Sequence, residues 1–290
     1  MSLADFLATK PWKSRSFPLP QAIRQFPTML SVEEQRMLAF LAAMTDFSRG
    51  ALVDLGPFMG GSTSALGCGV AMNQGQRPPI QSFDLFSASE GQKEKFLYAR
   101  GHPKFDGLDI YPLFQSLTRD YNVVSTKADI RKARWTTGPI ALLFIDLSKS
   151  WAINDHLVLN FLPHVAQGGL IVQQDYMFYK NPWIASTMFK LRDHVAYAGH
   201  SDFNSVLFEV TTPLSASALD SCLRRNTSVA DMHAAFDWTG GFLTDCLSQE
   251  MLAMMRGAFD RNPGGDGHDD FTGQAWPSIL DQARQVRSSG

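Results

Sequence analysis

The stretch Ala51-Leu-Val-Asp-Leu-Gly-Pro-Phe-Met-Gly-Gly-Ser-Thr63 joins an acid inside an apolar run, Asp54, to glycines at 56, 60 and 61. Gly56 and Gly60 on either side of Phe58 permit close backbone approach, and Ser62 and Thr63 can cap a helix whose first N–H groups favour negative charge. Such a turn suits a polar or charged small molecule. The spacing excludes the usual phosphate binders: no Lys follows a glycine as in a P-loop, and Pro57-Phe58 interrupts any G-x-G-x-x-G. Further along, Asp84 closes the run from Ile80 and can accept hydrogen bonds from both hydroxyls of a ribose; the plainer alternative is a cap on the next loop. Asp129, after Ser-Thr-Lys-Ala, can receive an adenine amino group or cap the segment that follows. Asp146 lies at the end of the apolar run 140–147, and Asp175 follows Gln173-Gln174. Two carboxylates at such positions can orient a substrate hydroxyl, accept its proton or share a divalent cation, although an Asp closing a strand can also just cap a turn.

These residues must be held by strands that alternate with helices. Ser31-Val-Glu-Glu34 reads as a capping box, followed at helical spacing by Met37, Leu38, Leu41 and Met44. Strands are expected at 51–56, 80–86, 122–127, 140–147 and 169–175, with 203–210 as an antiparallel edge strand. Leu157, Val158, Phe161, Leu162 and Val165 form a helix face that ends at Gly168-Gly169. Near-continuous apolar strands separated by helices predict an α/β fold, a doubly wound, mostly parallel sheet covered on both faces. Ligands of such sheets bind beyond the carboxyl ends of the strands.

Residues 1–30 are punctuated by prolines and read as a surface segment, 31–212 as the core, and 213–290 as a helical extension. In the extension Leu243, Cys246, Leu247, Met251 and Met254 share one helical face, and Trp276, Ile279, Leu280 and Ala283 another behind Pro277. Self-association through this extension is one expectation. The Gly/Asp stretch at 261–270, with His268-Asp269-Asp270, reads as a flexible surface loop. His156 reads as a solvent-facing or capping histidine, with a base as the alternative. Tyr176, Phe178, Tyr179 and Trp183 can wall an acceptor pocket or pack beneath the C-terminal helices.

Composition narrows the class. The chain has 290 residues, 44% hydrophobic and 19% charged, with a net charge of -2. That balance gives no reason to expect nucleic acid or an acidic membrane as partner. The three cysteines, Cys68, Cys222 and Cys246, show neither a disulfide framework nor metal-ligand spacing, which suits a reducing compartment. With no signal peptide legible and no apolar stretch long enough to cross a bilayer, a cytoplasmic location is expected.

The strand, acid and glycine turn of 51–63 resembles motif I of class I S-adenosylmethionine-dependent methyltransferases. The ordered set Leu142-Leu-Phe-Ile-Asp146, Leu162-Pro163, Gly168-Gly169 and Val172-Gln-Gln-Asp-Tyr176 resembles their macrolide and aminocoumarin sugar O-methyltransferase type, roughly F-I-D-G-D-H-x-Y, L-x-P-G-G and D-D-Y. The match runs over roughly residues 31–210. It implies a Rossmann-like methyltransferase fold, S-adenosylmethionine as cofactor and a hydroxyl on a small-molecule acceptor. Asp54, Gly56, Phe58, Gly60, Ser62 and Thr63 would then hold the methionine part of the cofactor, Asp84 the ribose and Asp129 the adenine. Asp146 and Asp175 would act on the acceptor and correspond to the family's metal-binding carboxylates, a Mg²⁺ site. Two departures bear on that metal: Leu147-Ser148-Lys149-Ser150 replaces the acid-His element, and Gln174 replaces the first acid of the Asp-Asp pair. The expected site therefore binds a cation weakly or not at all. A cofactor-binding protein without catalysis is the alternative, and an NAD-dependent dehydrogenase a more distant one.

Overall fold

A computed structural model describes residues 1–271, apart from Arg15, Ser16, Pro18, Gln25, Asp202, Phe203 and the side chains of Ala22, Arg24, Cys246 and Leu247. Trp276, Pro277, Ile279, Leu280 and Ala283, expected to form the last helical face, lie outside the described residues. Seven strands form one sheet: β1 (Ala51–Leu55), β2 (Ile80–Asp84), β3 (Val123–Lys127), β4 (Ile140–Ile145), β5 (Val165–Gln173), β6 (Val195–His200) and β7 (Val206–Val210). Their order is β3-β2-β1-β4-β5-β7-β6. The β1–β2, β1–β4, β2–β3 and β4–β5 pairs are parallel, and β7 runs antiparallel to β5. This is the doubly wound, mostly parallel Rossmann-like sheet that the alternation of strands and helices predicts. β6, not 203–210, is the edge beyond β5, and sequence reading missed it: Val-Ala-Tyr-Ala-Gly-His carries too little apolar patterning.

The helices are α1 (Leu3–Ala8), α2 (Gln21–Arg24), α3 (Val32–Met44), α4 (Gly61–Met72), α5 (Glu90–Phe96), α6 (Tyr111–Thr118), α7 (Trp151–Asn160), α8 (Trp183–Lys190), α9 (Ala216–Ser221), α10 (Val229–Gly240) and α11 (Cys246–Arg261). Among the described residues none is long and apolar enough to cross a membrane. The chain divides into two compact units whose segments interleave along the sequence. The first holds residues 1–147, 164–174 and 196–213; the second holds 148–163, 175–195 and the chain from Leu214.

In the first unit α1, α3 and α4 bury Leu7, Met37, Leu38, Leu41, Ala65 and Leu66 against Leu52, Leu142, Phe144, Leu170 and Val172. Residues of alternate strand positions face that layer, as the two-residue period requires. The 1–30 segment is not confined to the surface: Leu7, Trp12, Leu19 and Ile23 are all buried in this core. Gly168-Gly169 does not end a helix, because α7 stops at Asn160. The pair sits inside β5, where Val165 pairs with Ile140 but Leu170 pairs with Leu142. The extra residues bulge, and Gly168 supplies the positive φ of 76° that the bulge needs. In the second unit Trp183 packs its ring tilted against Trp151 and edge-on against Phe271, and α8 lies against α10.

Candidate active site

The turn between β1 and α4 is built by backbone conformations few residues tolerate. Gly56 and Gly60 both have φ of 92°, and Phe58 between them has φ of 52°. A Cβ on Gly56 would come to 3.0 Å from the backbone carbonyl of Asp146, so glycine is required for close approach as well as for φ. Left-handed Phe58 is held by its N–H, which donates to Asp84 Oδ2 at 3.0 Å. Strain of this kind is of order 1–3 kcal/mol and persists only where its surroundings enforce it.

Gly60 is the N-cap of α4 and offers no side chain to it. Ser62 and Thr63 do not cap the helix as expected. Both hydroxyls turn inward to Asp54: Ser62 Oγ donates at 3.0 Å to each carboxylate oxygen, and Thr63 Oγ1 donates to Oδ2 at 2.6 Å. Asp54 is completely buried, and burial pushes its pKa up to about 7, with the charges of Asp146 and Asp84 acting in the same direction. The first turn of α4 is thereby fastened beneath the sheet, and its leading N–H groups stay at the turn.

Asp84 ties the ends of β1 and β2 together. Besides Phe58, it accepts the N–H of Phe86 on Oδ1 at 2.6 Å, and burial raises its pKa. Asp129 takes the capping alternative. It is the N-cap of the 3-10 turn Ile130–Lys132 and accepts the Arg131 N–H at 3.0 Å. The Arg131 guanidinium also binds it, and that hydrogen bonding lowers its pKa to about 2.

Gly56, Pro57, Phe58, Ser62 and Asp146 therefore line one crevice, together with Thr28, Met29 and Leu30 of the chain before α3. That chain leaves a cavity of only about 10 Å³. Arg100 holds it there, donating to the carbonyls of Phe26 and Thr28. A fourth acid was missed by the sequence reading, which saw Glu34 only as the third residue of a capping box. The box is present, with Ser31 N–H donating to Glu34 Oε2 at 2.8 Å, but the carboxyl is also buried and accepts from Ser205 Oγ at 2.7 Å. Burial pushes its pKa up to about 8, and the nearby Asp146 charge adds to the shift. At neutral pH it is mostly a neutral acid.

Asp146 follows β4 with its N–H donating to Leu55 O at 2.8 Å, so the ends of β4 and β1 are joined. Gln174 N–H donates to Ile145 O at 3.0 Å, joining β5 to β4, and Gln174 Oε1 is buried with no hydrogen-bond partner among the described residues. In the second unit Asp175 has φ of 58° and forms an ion pair with Lys149 Nζ. Its Oδ2 also accepts from Asn181 Nδ2 at 3.3 Å. The loop at 261–270, expected to be flexible, is fastened. Trp151 N–H donates to Asp266 O at 2.9 Å, His268 N–H donates to Lys149 O at 3.0 Å, and Ser150 bridges Gly267. His268 Nδ1 then lies 3.0 Å from Asn181 Oδ1.

A divalent cation does not fit the donors at Asp175. Asp175 Oδ2 already faces an ammonium and an amide N–H, and the nearby positive charge of Lys149 opposes a second cation. Among the described residues no three His, Cys, Asp or Glu side chains gather as a metal site. The aromatics after β5 mainly take the packing alternative: Tyr176 is fully buried, with its hydroxyl 2.9 Å from Thr239 Oγ1, and Trp183 Nε1 donates to Ser148 O. His156 contacts its own helix end, where Asn160 Nδ2 donates to its carbonyl at 2.9 Å.

No family model matches the chain, and no curated protein matches it. Among solved structures it is similar to the O-methyltransferase NovP, at 14% identity and a TM-score of 0.48 over 72% of this chain and 96% of that one. It is also similar to CalS11, a TDP-rhamnose 3'-O-methyltransferase of calicheamicin biosynthesis, at 14% identity and a TM-score of 0.45 over 71% and 92% of the two chains. A third is the Podospora anserina methyltransferase PaMTH1 bound to SAH, at 14% identity and a TM-score of 0.40 over 84% and 87%.

Proposed function

We propose that this protein is an S-adenosylmethionine-dependent methyltransferase acting on a hydroxyl of a small molecule. The observation that carries the reading is the turn after β1. Its positive-φ glycines, its helix N-terminus and the acid Asp84 at the end of β2 are bound into one assembly through the Phe58 N–H. That donor set fits the cofactor: carboxylate for ribose hydroxyls, backbone N–H for a carboxylate, and further acids for cationic groups. Gly56, Phe58, Gly60 and the first turn of α4, fastened by Asp54 to Ser62 and Thr63, would hold the methionine part, and Asp84 the ribose. The bound cofactor supplies an electrophilic methyl group. The chain's own task is to align the acceptor and take its proton. Asp146, at the end of β4 and in the lining of the crevice after β1, is the carboxylate we assign to the acceptor. Thr28–Leu30 must shift to admit the cofactor, since about 10 Å³ holds no more than one water.

Titration calorimetry with S-adenosylmethionine and S-adenosylhomocysteine, with NAD as control, tests the cofactor. Release of labelled methyl to a panel of sugars, sugar nucleotides and phenols tests the reaction. Binding without transfer to any acceptor would favour the non-catalytic alternative, and no binding would overturn both.

A further inference from the structure

The first unit holds a second cavity, of about 530 Å³, lined in part by Arg49, Gln167, Gly168, Glu209 and Thr211. It sits near the start of β5 and the end of the antiparallel β7, whereas the crevice after β1 lies beyond the carboxyl ends of β1 and β4. The β5 bulge shapes it. Gly168 leaves the space over its backbone to the Arg49 guanidinium, since a Cβ there would overlap Nη1. Gln167 Nε2 donates to Thr211 O at 2.9 Å and ties the bulge to the chain after β7.

Two opposite charges line this cavity without pairing. Asp46 holds Arg49, its Oδ2 accepting from Nε at 3.3 Å, and the Ala4 N–H holds Glu209, donating to Oε2 at 3.1 Å. Among the described residues no ion pair joins Arg49 to Glu209, and neither the Arg49 Nη groups nor Glu209 Oε1 make a hydrogen bond. A simple anion or cation would satisfy one of these charges and a neutral molecule neither. A zwitterion satisfies both, with charge-assisted hydrogen bonds at each end. Ala4 and Val210 add buried apolar surface to the lining. We propose that this cavity is a second small-molecule site, for a zwitterionic amino acid. Arg49 takes the carboxylate through its Nη groups, Glu209 Oε1 takes the ammonium, and the ligand's side chain lies on Ala4 and Val210. The inference stands apart from the methyltransferase reading, since none of these residues lines the crevice after β1.

Amide chemical shifts of the full chain, titrated at pH 7.5 with each standard amino acid up to about 10 mM, test the site. At least one should shift the amides of residues 167–169 and 209–211 saturably, with a Kd below about 1 mM. Its analogues lacking the carboxylate or the ammonium should each bind at least about tenfold more weakly. Arg49→Gln and Glu209→Gln should each raise the Kd about 10- to 150-fold, the loss of one charge-assisted contact, and leave S-adenosylhomocysteine affinity unchanged. Gln at 209 keeps an acceptor for the Ala4 N–H, so that variant leaves α1 in place. No saturable shift at these amides with any amino acid, or a Kd within threefold of the wild type in both variants, would overturn the site. Neither result would touch the methyltransferase reading, which the cofactor titration decides separately.

Discussion

Replacing Asp84 by Asn keeps the side chain's shape but removes its charge and one acceptor. In the native protein its two oxygens accept the N–H groups of Phe58 at 3.0 Å and Phe86 at 2.6 Å. Asn has one carbonyl oxygen, so one of those two donors faces an amide N–H instead. Leaving a buried donor unpaired costs about 1–3 kcal/mol, and the melting temperature of a chain this size should fall by roughly 2–4 °C for each kcal/mol lost. The ribose assignment adds a separate effect on binding. At least one charge-assisted hydrogen bond is lost, about 1.5–3 kcal/mol, so the Kd for S-adenosylhomocysteine should rise about 10- to 150-fold. Calorimetry at 25 °C and pH 8 reads the second number, and a thermal melt followed by circular dichroism reads the first. A variant that melts early yet binds within twofold of the wild type would reduce Asp84 to a brace for the turn and refute the ribose role. Asp129→Asn is the control: its exposed pairing with Arg131 closes on its own turn, so cofactor affinity should move less than threefold.

Stability should fall as pH rises from about 4 to 8, because Glu34 and Asp54 have folded-state pKa values above their unfolded ones, about 8 against 4.5 and about 7 against 3.8. In urea titrations across that range Glu34→Gln should remove on the order of 4 kcal/mol of the dependence, and a slope equal to the wild type's would show that Glu34 does not titrate there. A Cβ added at Gly61 would overlap the Thr28 side chain, so Gly61→Ala should destabilise by about 1–3 kcal/mol and Thr28→Gly should restore most of the loss; full additivity of the two changes would disprove the contact. Cofactor binding should change amide exchange in residues 26–30, and Arg100→Ala, which releases the Phe26 and Thr28 carbonyls, should raise the association rate; unchanged exchange would show that this chain does not cover the site. Chelator should leave methyl transfer intact, and Mn²⁺ titrated in by electron paramagnetic resonance should remain free; tight stoichiometric binding would contradict the donor chemistry at Asp175.

Much of the candidate site's local backbone was legible in the sequence because its signals are local. The β1 run, the glycines at 56 and 60 and the acids at 84, 146 and 175 sit where strand period and turn chemistry alone put them, and the Ser31–Glu34 capping box is a four-residue signature. Spacing of that kind specifies conformation over one turn or one strand, but it does not say which partner a side chain will find. Ser62 and Thr63 have hydroxyls that cap helices in isolation; only the burial of Asp54 beneath α4 turns them inward. Asp129 lay in a pattern compatible with two roles, and the capping one is seen in its bond to the Arg131 N–H. Glu34 became a buried, high-pKa acid through Ser205, 171 residues away, and His268 left the class of flexible loops through Asn181, 87 residues away. Over such separations the sequence sets which hydrogen-bonding groups exist. Which of them meet is decided by packing, because a buried polar group must find its partner wherever the tertiary fold brings one.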